Sequence, residues 1–174
     1  SKEPINYETT LIERDGVYYT KDTNQPYSGP VFSLDDKGRK KLESILEDGK
    51  AITFKELSWY ENGQKRSEET YREDGVPEGL MTSWYENGQK KIEETYKDGA
   101  PEGLSTKWYE NGQKMTERTY KEGYEDGLQI SWYENGQKME EYNIKDEILV
   151  SRKYWNEDGS QPKDLLDWKR KKSS

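Results

Sequence analysis

The sequence contains no cysteine and no histidine. The first absence excludes disulfides and thiol chemistry and leaves the redox compartment open. The second removes the commonest general base and the commonest metal ligand. Aliphatic residues are scarce too. Leu, Ile, Val and Phe together make up only 25 of the 174 residues. No apolar run approaches the ~20 residues of a membrane-spanning helix, and no signal-peptide pattern is present. The chain starts at Ser1 rather than Met, which leaves room for an upstream segment. With 37% charged residues and a net charge of −8, so few aliphatics would ordinarily mean disorder. The acidic balance also disfavours nucleic acid and anionic lipid as partners, and favours a basic protein.

What is present contradicts disorder. Aromatics reach 13%, with six Trp and fourteen Tyr, whereas disordered chains are poor in rings. The heptapeptide Trp-Tyr-Glu-Asn-Gly-Gln-Lys occurs four times without change, at 59–65, 84–90, 108–114 and 132–138. Weaker copies flank it at 31–40 and 154–159. The turn glycines fall at 38, 63, 88, 112, 136 and 159, so the unit is about 24 residues long. A second glycine precedes the turn by nine residues in four units, at Gly29, Gly79, Gly103 and Gly127. Asp-Gly and Pro-Glu-Gly signals separate the units, as in 74–79 and 98–103.

Each unit reads as strand, Asn-Gly turn, strand, looser turn. Asn-Gly between alternating residues predicts a type I′ hairpin, which needs positive φ at both central residues. If Asn87 and Gly88 are those residues, Trp84 faces Lys91, Ser83 faces Ile92 and Gly79 faces Tyr96. A six-residue link then places Tyr96 opposite Gly103 and Lys91 opposite Trp108. The next hairpin pairs Gly103 with Tyr120 and Trp108 with Met115. Two ladders follow. In one, glycines alternate with tyrosine rings that cover their bare backbone. In the other, Trp59, Trp84, Trp108 and Trp132 alternate with Arg66 and Lys91 and then with Met115 and Met139, through cation–π and sulfur–ring contacts. Strand alternation puts Trp84, Thr82 and Leu80 on one face and Tyr85, Ser83, Met81 and Ile92 on the other. The fold class expected is all-β: an elongated single antiparallel meander of repeated hairpins, with a short C-terminal helix.

The unit Tyr-x-x-Gly-x-Pro-Glu-Gly-Leu-x-x-x-Trp-Tyr-Glu-Asn-Gly-Gln-Lys resembles the bacterial variant of the MORN repeat, and the stretch from Gly16 to Gly29 resembles the opening of such proteins. The likeness spans residues 16–160, about six units, four of them closely similar between 54 and 144. A lead-in at 1–15 precedes them, and a capping helix with a basic tail at 161–174 follows. The resemblance implies an extended sheet of hairpins acting as an interaction module. For some members it implies an antitoxin that neutralises a toxin by direct binding. For others it implies an envelope or secreted protein, which tips the expected location slightly away from the cytoplasm. Phosphoinositide binding, also associated with such repeats, fits poorly with a net charge of −8.

Four readings of function follow. A scaffold that binds a protein partner through a sheet face or edge is the first. The antitoxin is the second. Glycan or host-surface recognition by a row of rings is the third. Both binding readings draw on one set of candidates: Trp59, Trp84, Trp108 and Trp132 with Tyr60, Tyr85, Tyr109 and Tyr133. The plainer reading of the same rings is that they are the packing stripe of a sheet short of aliphatics. An enzyme is the reading least supported, because no nucleophile–base pair, metal cluster or phosphate loop is legible. The doublets Glu68-Glu69, Glu93-Glu94 and Glu140-Glu141 cannot converge, since neighbours on a strand point to opposite faces. Asp74 and Asp98 lack the dense oxygen spacing of a calcium loop. No catalytic residue, metal ligand or cofactor is expected.

Overall fold

A computed structural model describes residues 2–162. In chain order the elements are β1 (Ile5–Asn6), the one-turn helix α1 (Tyr7–Thr10), β2 (Leu11–Arg14), β3 (Val17–Thr20), β4 (Gly29–Leu34), β5 (Lys40–Glu47), β6 (Lys50–Trp59) and β7 (Lys65–Arg72). There follow β8 (Gly79–Trp84), β9 (Lys90–Lys97), β10 (Ala100–Pro101), β11 (Gly103–Trp108), β12 (Lys114–Lys121), β13 (Tyr124–Glu125), β14 (Gly127–Trp132), β15 (Lys138–Lys145) and β16 (Ile148–Tyr154). One open sheet runs β1, β4 to β9, β11, β12, β14, β15, β16; two-residue strands β10 and β13 attach to β9 and β12, and β2 with β3 forms a separate hairpin. All pairings are antiparallel except β1 with β4. Twelve strands at ~4.8 Å make a ribbon roughly 50 Å long. The helix expected in 161–174 falls on residues from 163 onward, outside the described range.

The register holds within hairpins but not at the tight ends. Gly79 pairs with Tyr96 and Ser83 with Ile92, while Trp84 pairs with Lys90 and not Lys91. Likewise Trp108 pairs with Lys114 and not Met115. The turn explains the slip. Gly88 N–H donates to the Tyr85 carbonyl at 2.9 Å, and Tyr85 N–H donates to Gln89 O at 2.8 Å. Gly88 has φ +85°, whereas Asn87 does not share its positive φ. This is a three-residue loop, a type I turn closed by a left-handed glycine that forms a bulge. A primed turn occurs on the opposite edge of the ribbon, where Asp98 and Gly99 have φ of +50° and +81°. The type I′ turn expected at Asn-Gly is therefore found at Asp98-Gly99, where a looser six-residue link was expected.

The link between units is also tighter than expected. Tyr96 lies opposite Pro101, with Lys97 opposite Ala100. Strand β11 pairs with β9 only at Thr106–Glu93 and Lys107–Ile92. Tyr96 consequently does not face Gly103; only the within-hairpin half of the glycine–tyrosine ladder forms, as Gly79–Tyr96 and Gly103–Tyr120. Where Phe54 replaces the glycine, its ring stacks on Tyr71 at 5.5 Å between centroids.

The apolar core sits at one end. Leu11, Tyr27, Val31 and Leu46 are buried, with Ile5, Tyr7, Tyr18 and Ala51 packed against them. The lead-in and the β2–β3 hairpin thus cover the first strands of the ribbon. Gly49 permits this, because a Cβ there would lie 2.5 Å from Val17 Cγ1. Across the repeats, by contrast, the buried side chains are hydroxyls and an amide: Thr82, Ser105, Thr106, Gln129 and Ser131. Gln129 is fully buried; it accepts from Thr119 N–H at 2.9 Å and donates to Thr119 O at 3.0 Å. It bridges β12 and β14 where their backbones part, since those strands share only Thr116–Ser131 and Glu117–Ile130.

Candidate functional site

The tyrosine, asparagine, glutamine and lysine of the heptapeptide reach into the following unit. Tyr60, Tyr85 and Tyr109 donate their hydroxyls to the carbonyls of Trp84, Trp108 and Trp132 at 2.7–2.8 Å, and Tyr133 donates to Trp155 O at 3.0 Å. Asn62, Asn87, Asn111 and Asn135 donate side-chain amide protons to the carbonyls of Glu86, Glu110, Glu134 and Glu157, each at 2.9 Å. The same asparagines accept from their own Gln64, Gln89, Gln113 and Gln137 N–H groups. The glutamine side chains then lie over the next glycine. A Cβ on Gly112 would approach Gln89 Oε1 to 3.1 Å, and one on Gly136 would approach Gln113 Oε1 to 3.0 Å.

The lysines complete the stack. Lys65, Lys90, Lys114 and Lys138 lie over the rings of Trp84, Trp108, Trp132 and Trp155, 5.5–5.8 Å from the centroids. Each also pairs with the carboxylate three residues on: Glu68, Glu93, Glu117 or Glu141. These lysines, rather than Arg66, Lys91, Met115 and Met139, occupy the places beside the indoles. The bulge moves the register by one, so the composition change from cation to methionine does not interrupt the ladder. Lys91 lies instead over Tyr85.

The candidate rings are therefore brought into lines across the ribbon, all half-buried. Their hydroxyls and one indole surface each are engaged by neighbouring units. Burial, reinforced by the Glu110 and Glu134 carboxylates, pushes the Tyr85 hydroxyl above its ordinary range. Tyr109 is raised in the same way, by burial and then by Glu134 and Glu157. A neutral phenol that keeps its proton is what the donor role to a carbonyl requires.

Among the described residues, the last unit lacks the tyrosine and asparagine donors of the ladder. In the last unit Asn156 occupies the tyrosine's place, its N–H donating to Ser160 O, and Asp158 occupies the asparagine's, accepting from Ser160 N–H. A carboxylate has no proton to offer a further unit. At the first junction Arg39, held by Asp35, donates to Tyr60 O at 3.1 Å and lies over Trp59, whose indole N–H donates to Lys40 O.

The carboxylate doublets diverge. Glu68, Glu93 and Glu141 take the lysines. Glu69 accepts from Tyr71, Glu94 from Ser105 and Tyr96, and Glu140 from Arg152. The Tyr71–Glu69 bond, 2.6 Å long, pushes the Tyr71 hydroxyl up to about 12. Asp74 and Asp98 both hold Arg72. Among the described residues no group of carboxylates is placed to hold a metal ion, and no helix is long and apolar enough to cross a membrane.

What the motif leaves free is a stripe of leucines. Leu80, Leu104 and Leu128 occupy equivalent places, one residue after the glycine that opens each strand, and are 52%, 55% and 49% exposed. Their cross-strand partners are Thr95, Thr119 and Asn143. The signal was present as a Gly-Leu dipeptide at a 24-residue interval. Three isolated leucines have no periodicity of their own within a unit, so nothing marked them as a row until the strands were aligned.

These features define a tandem β-hairpin repeat protein whose units interlock side chain to main chain in one direction. The sequence pattern described as the MORN repeat variant matches four times, at residues 55–73, 77–98, 101–122 and 125–146. The chain belongs to the MORN repeat family. No curated protein matches it.

Proposed function

We infer that the chain is a non-enzymatic scaffold that binds a protein partner across the sheet face carrying Leu80, Leu104 and Leu128. The observation that carries this reading is the division of labour among side chains. The repeated aromatic motif is consumed in joining units, while an evenly spaced apolar row is left half-exposed. Fully burying an exposed leucine contributes roughly 1.5–3 kcal/mol; Leu80, Leu104 and Leu128 are already about half covered, so each adds about half of that, and the three together form an apolar anchor. MORN repeats commonly serve as interaction motifs, in keeping with this use. An antitoxin that acts by direct binding is one form of the same activity. Glycan stacking is the weaker reading, because lysine cations already lie over the indoles.

The test is capture of the partner from native extract by the wild-type chain and by the triple variant Leu80→Ser, Leu104→Ser, Leu128→Ser. These side chains are exposed, so the fold is expected to persist, as strand-type circular dichroism would show. Loss of the partner supports the reading. Undiminished recovery overturns it.

A further inference from the structure

The spacing of the leucine stripe and the charge beside it are compatible with one kind of partner. Leu80, Leu104 and Leu128 are separated by strands that bring Thr95 and Thr119 between them. Thr70 and Thr119 hydroxyls reach the carbonyls of Leu80 and Leu128 at 3.5 Å, tying β7 to the strand of Leu80 and β12 to the strand of Leu128. Two strand spacings put successive leucines ~9.6 Å apart, about 19 Å from first to last. An α-helix repeats one face every seven residues, or ~10.5 Å. An extended strand presents one face at multiples of about 6.6 Å, which does not match. A helix laid across the strands can therefore place one apolar side chain against each leucine.

The two sides of the stripe differ in charge. Toward the Asn-Gly turns, Glu93, Glu117 and Glu141 are neutralised by Lys90, Lys114 and Lys138. Toward the opposite turns lie the segments 72–78, 97–102, 121–126 and 145–147. They hold ten carboxylates against four cations, a net of −6 out of the chain's −8. Glu73, Asp98, Glu122, Asp146 and Glu147 there are exposed. A helix seated on the leucines would run alongside this acidic border.

We propose that the leucine stripe is the docking surface for a basic amphipathic α-helix of a protein partner, its apolar residues a heptad apart and its lysines or arginines toward the 72–147 turn border. The proposal rests on the protein-binding reading above and names the element that is bound. Membrane binding through the same leucines is disfavoured, since the carboxylates that attract a basic helix repel anionic head groups.

The probe is a labelled synthetic peptide of roughly 18 residues, about the length needed to cover three heptad-spaced contacts. It carries leucines at heptad spacing and lysines along one flank. Fluorescence anisotropy against the full chain is expected to show binding that weakens at least tenfold in two cases: with the Leu80→Ser, Leu104→Ser, Leu128→Ser variant, and with a peptide whose lysines are replaced by glutamate. Equal affinity for a scrambled peptide of the same composition would overturn the proposal. So would tighter binding of the chain to phosphatidylserine vesicles than to the peptide. If the peptide fails while the leucine variant still loses the captured partner, the helix is wrong and the scaffold reading stands. If the variant also keeps that partner, both fall.

Discussion

The hydroxyl of Tyr85 donates to the main-chain carbonyl of Trp108, one unit further along, at 2.7 Å. The bond recurs at each junction from Tyr60 to Tyr133, so a side chain in one hairpin ties down the end of a strand in the next. Removing it with Tyr85→Phe leaves a carbonyl without its partner and is expected to cost about 1 kcal/mol. Tyr60→Phe and Tyr109→Phe should each cost a similar amount, and the double variant Tyr60→Phe, Tyr109→Phe, with sites far apart, should be additive. Urea unfolding of the four variants measures this. An unchanged midpoint for Tyr85→Phe would show that the bond contributes nothing.

The turn glycines separate two effects. Gly63 and Gly136 share a left-handed φ, +87° and +84°. Space for a Cβ is open at Gly63, while at Gly136 Gln113 Oε1 would be 3.0 Å away. Gly63→Ala should lose about 1–2 kcal/mol from backbone conformation alone. Gly136→Ala should lose more, and the Gln113→Ala background should reduce the difference. Equal losses in both backgrounds would remove the glutamine from the interlock.

Tyr71 gives a pH prediction. Its hydroxyl bonds to Glu69, which pushes its pKa up to about 12, against about 10 for an unfolded tyrosine. A folded value above the unfolded one means stability that is complete below pH 10 and falls as pH rises toward 12. Unfolding midpoints measured at pH 8, 10 and 11 should drop more steeply above pH 10 in the wild type than in Tyr71→Phe. Parallel curves would contradict this.

The bulge makes a prediction about pairs. Lys65 lies over Trp84 at 5.5 Å, and Arg66, which a two-residue turn would have put there, does not. A double-mutant cycle between Lys65→Ala and Trp84→Ala should return a coupling of roughly 0.5–1 kcal/mol. The cycle with Arg66→Ala should return none. A larger coupling for Arg66 would restore the two-residue turn.

That pair marks the boundary of what could be read from the sequence. The hairpins, their 24-residue repeat and the pairings Gly79–Tyr96, Ser83–Ile92 and Gly103–Tyr120 were legible, because strand alternation and turn glycines constrain them from both ends. The turn type was not, because Asn-Gly satisfies two different loops. Asn87 is suited to this one by its side chain, which reaches Glu110 O, rather than by its own φ. One residue of slip then replaced Arg66 with Lys65 beside Trp84. The rings of the heptapeptide fall in lines across the ribbon as expected. Their engagement with the next unit was invisible, since it depends on contacts between units rather than within one. Gln129 and the leucine stripe were missed for the same reason.

The interlock itself is open to one direct observation. Nuclear magnetic resonance can detect scalar coupling through a hydrogen bond. Coupling from the Asn87 side-chain amide to the Glu110 carbonyl, with its counterparts at Asn62, Asn111 and Asn135, is the expected result. Side-chain amides that show no such coupling and exchange with water at the rate of a free asparagine would contradict it.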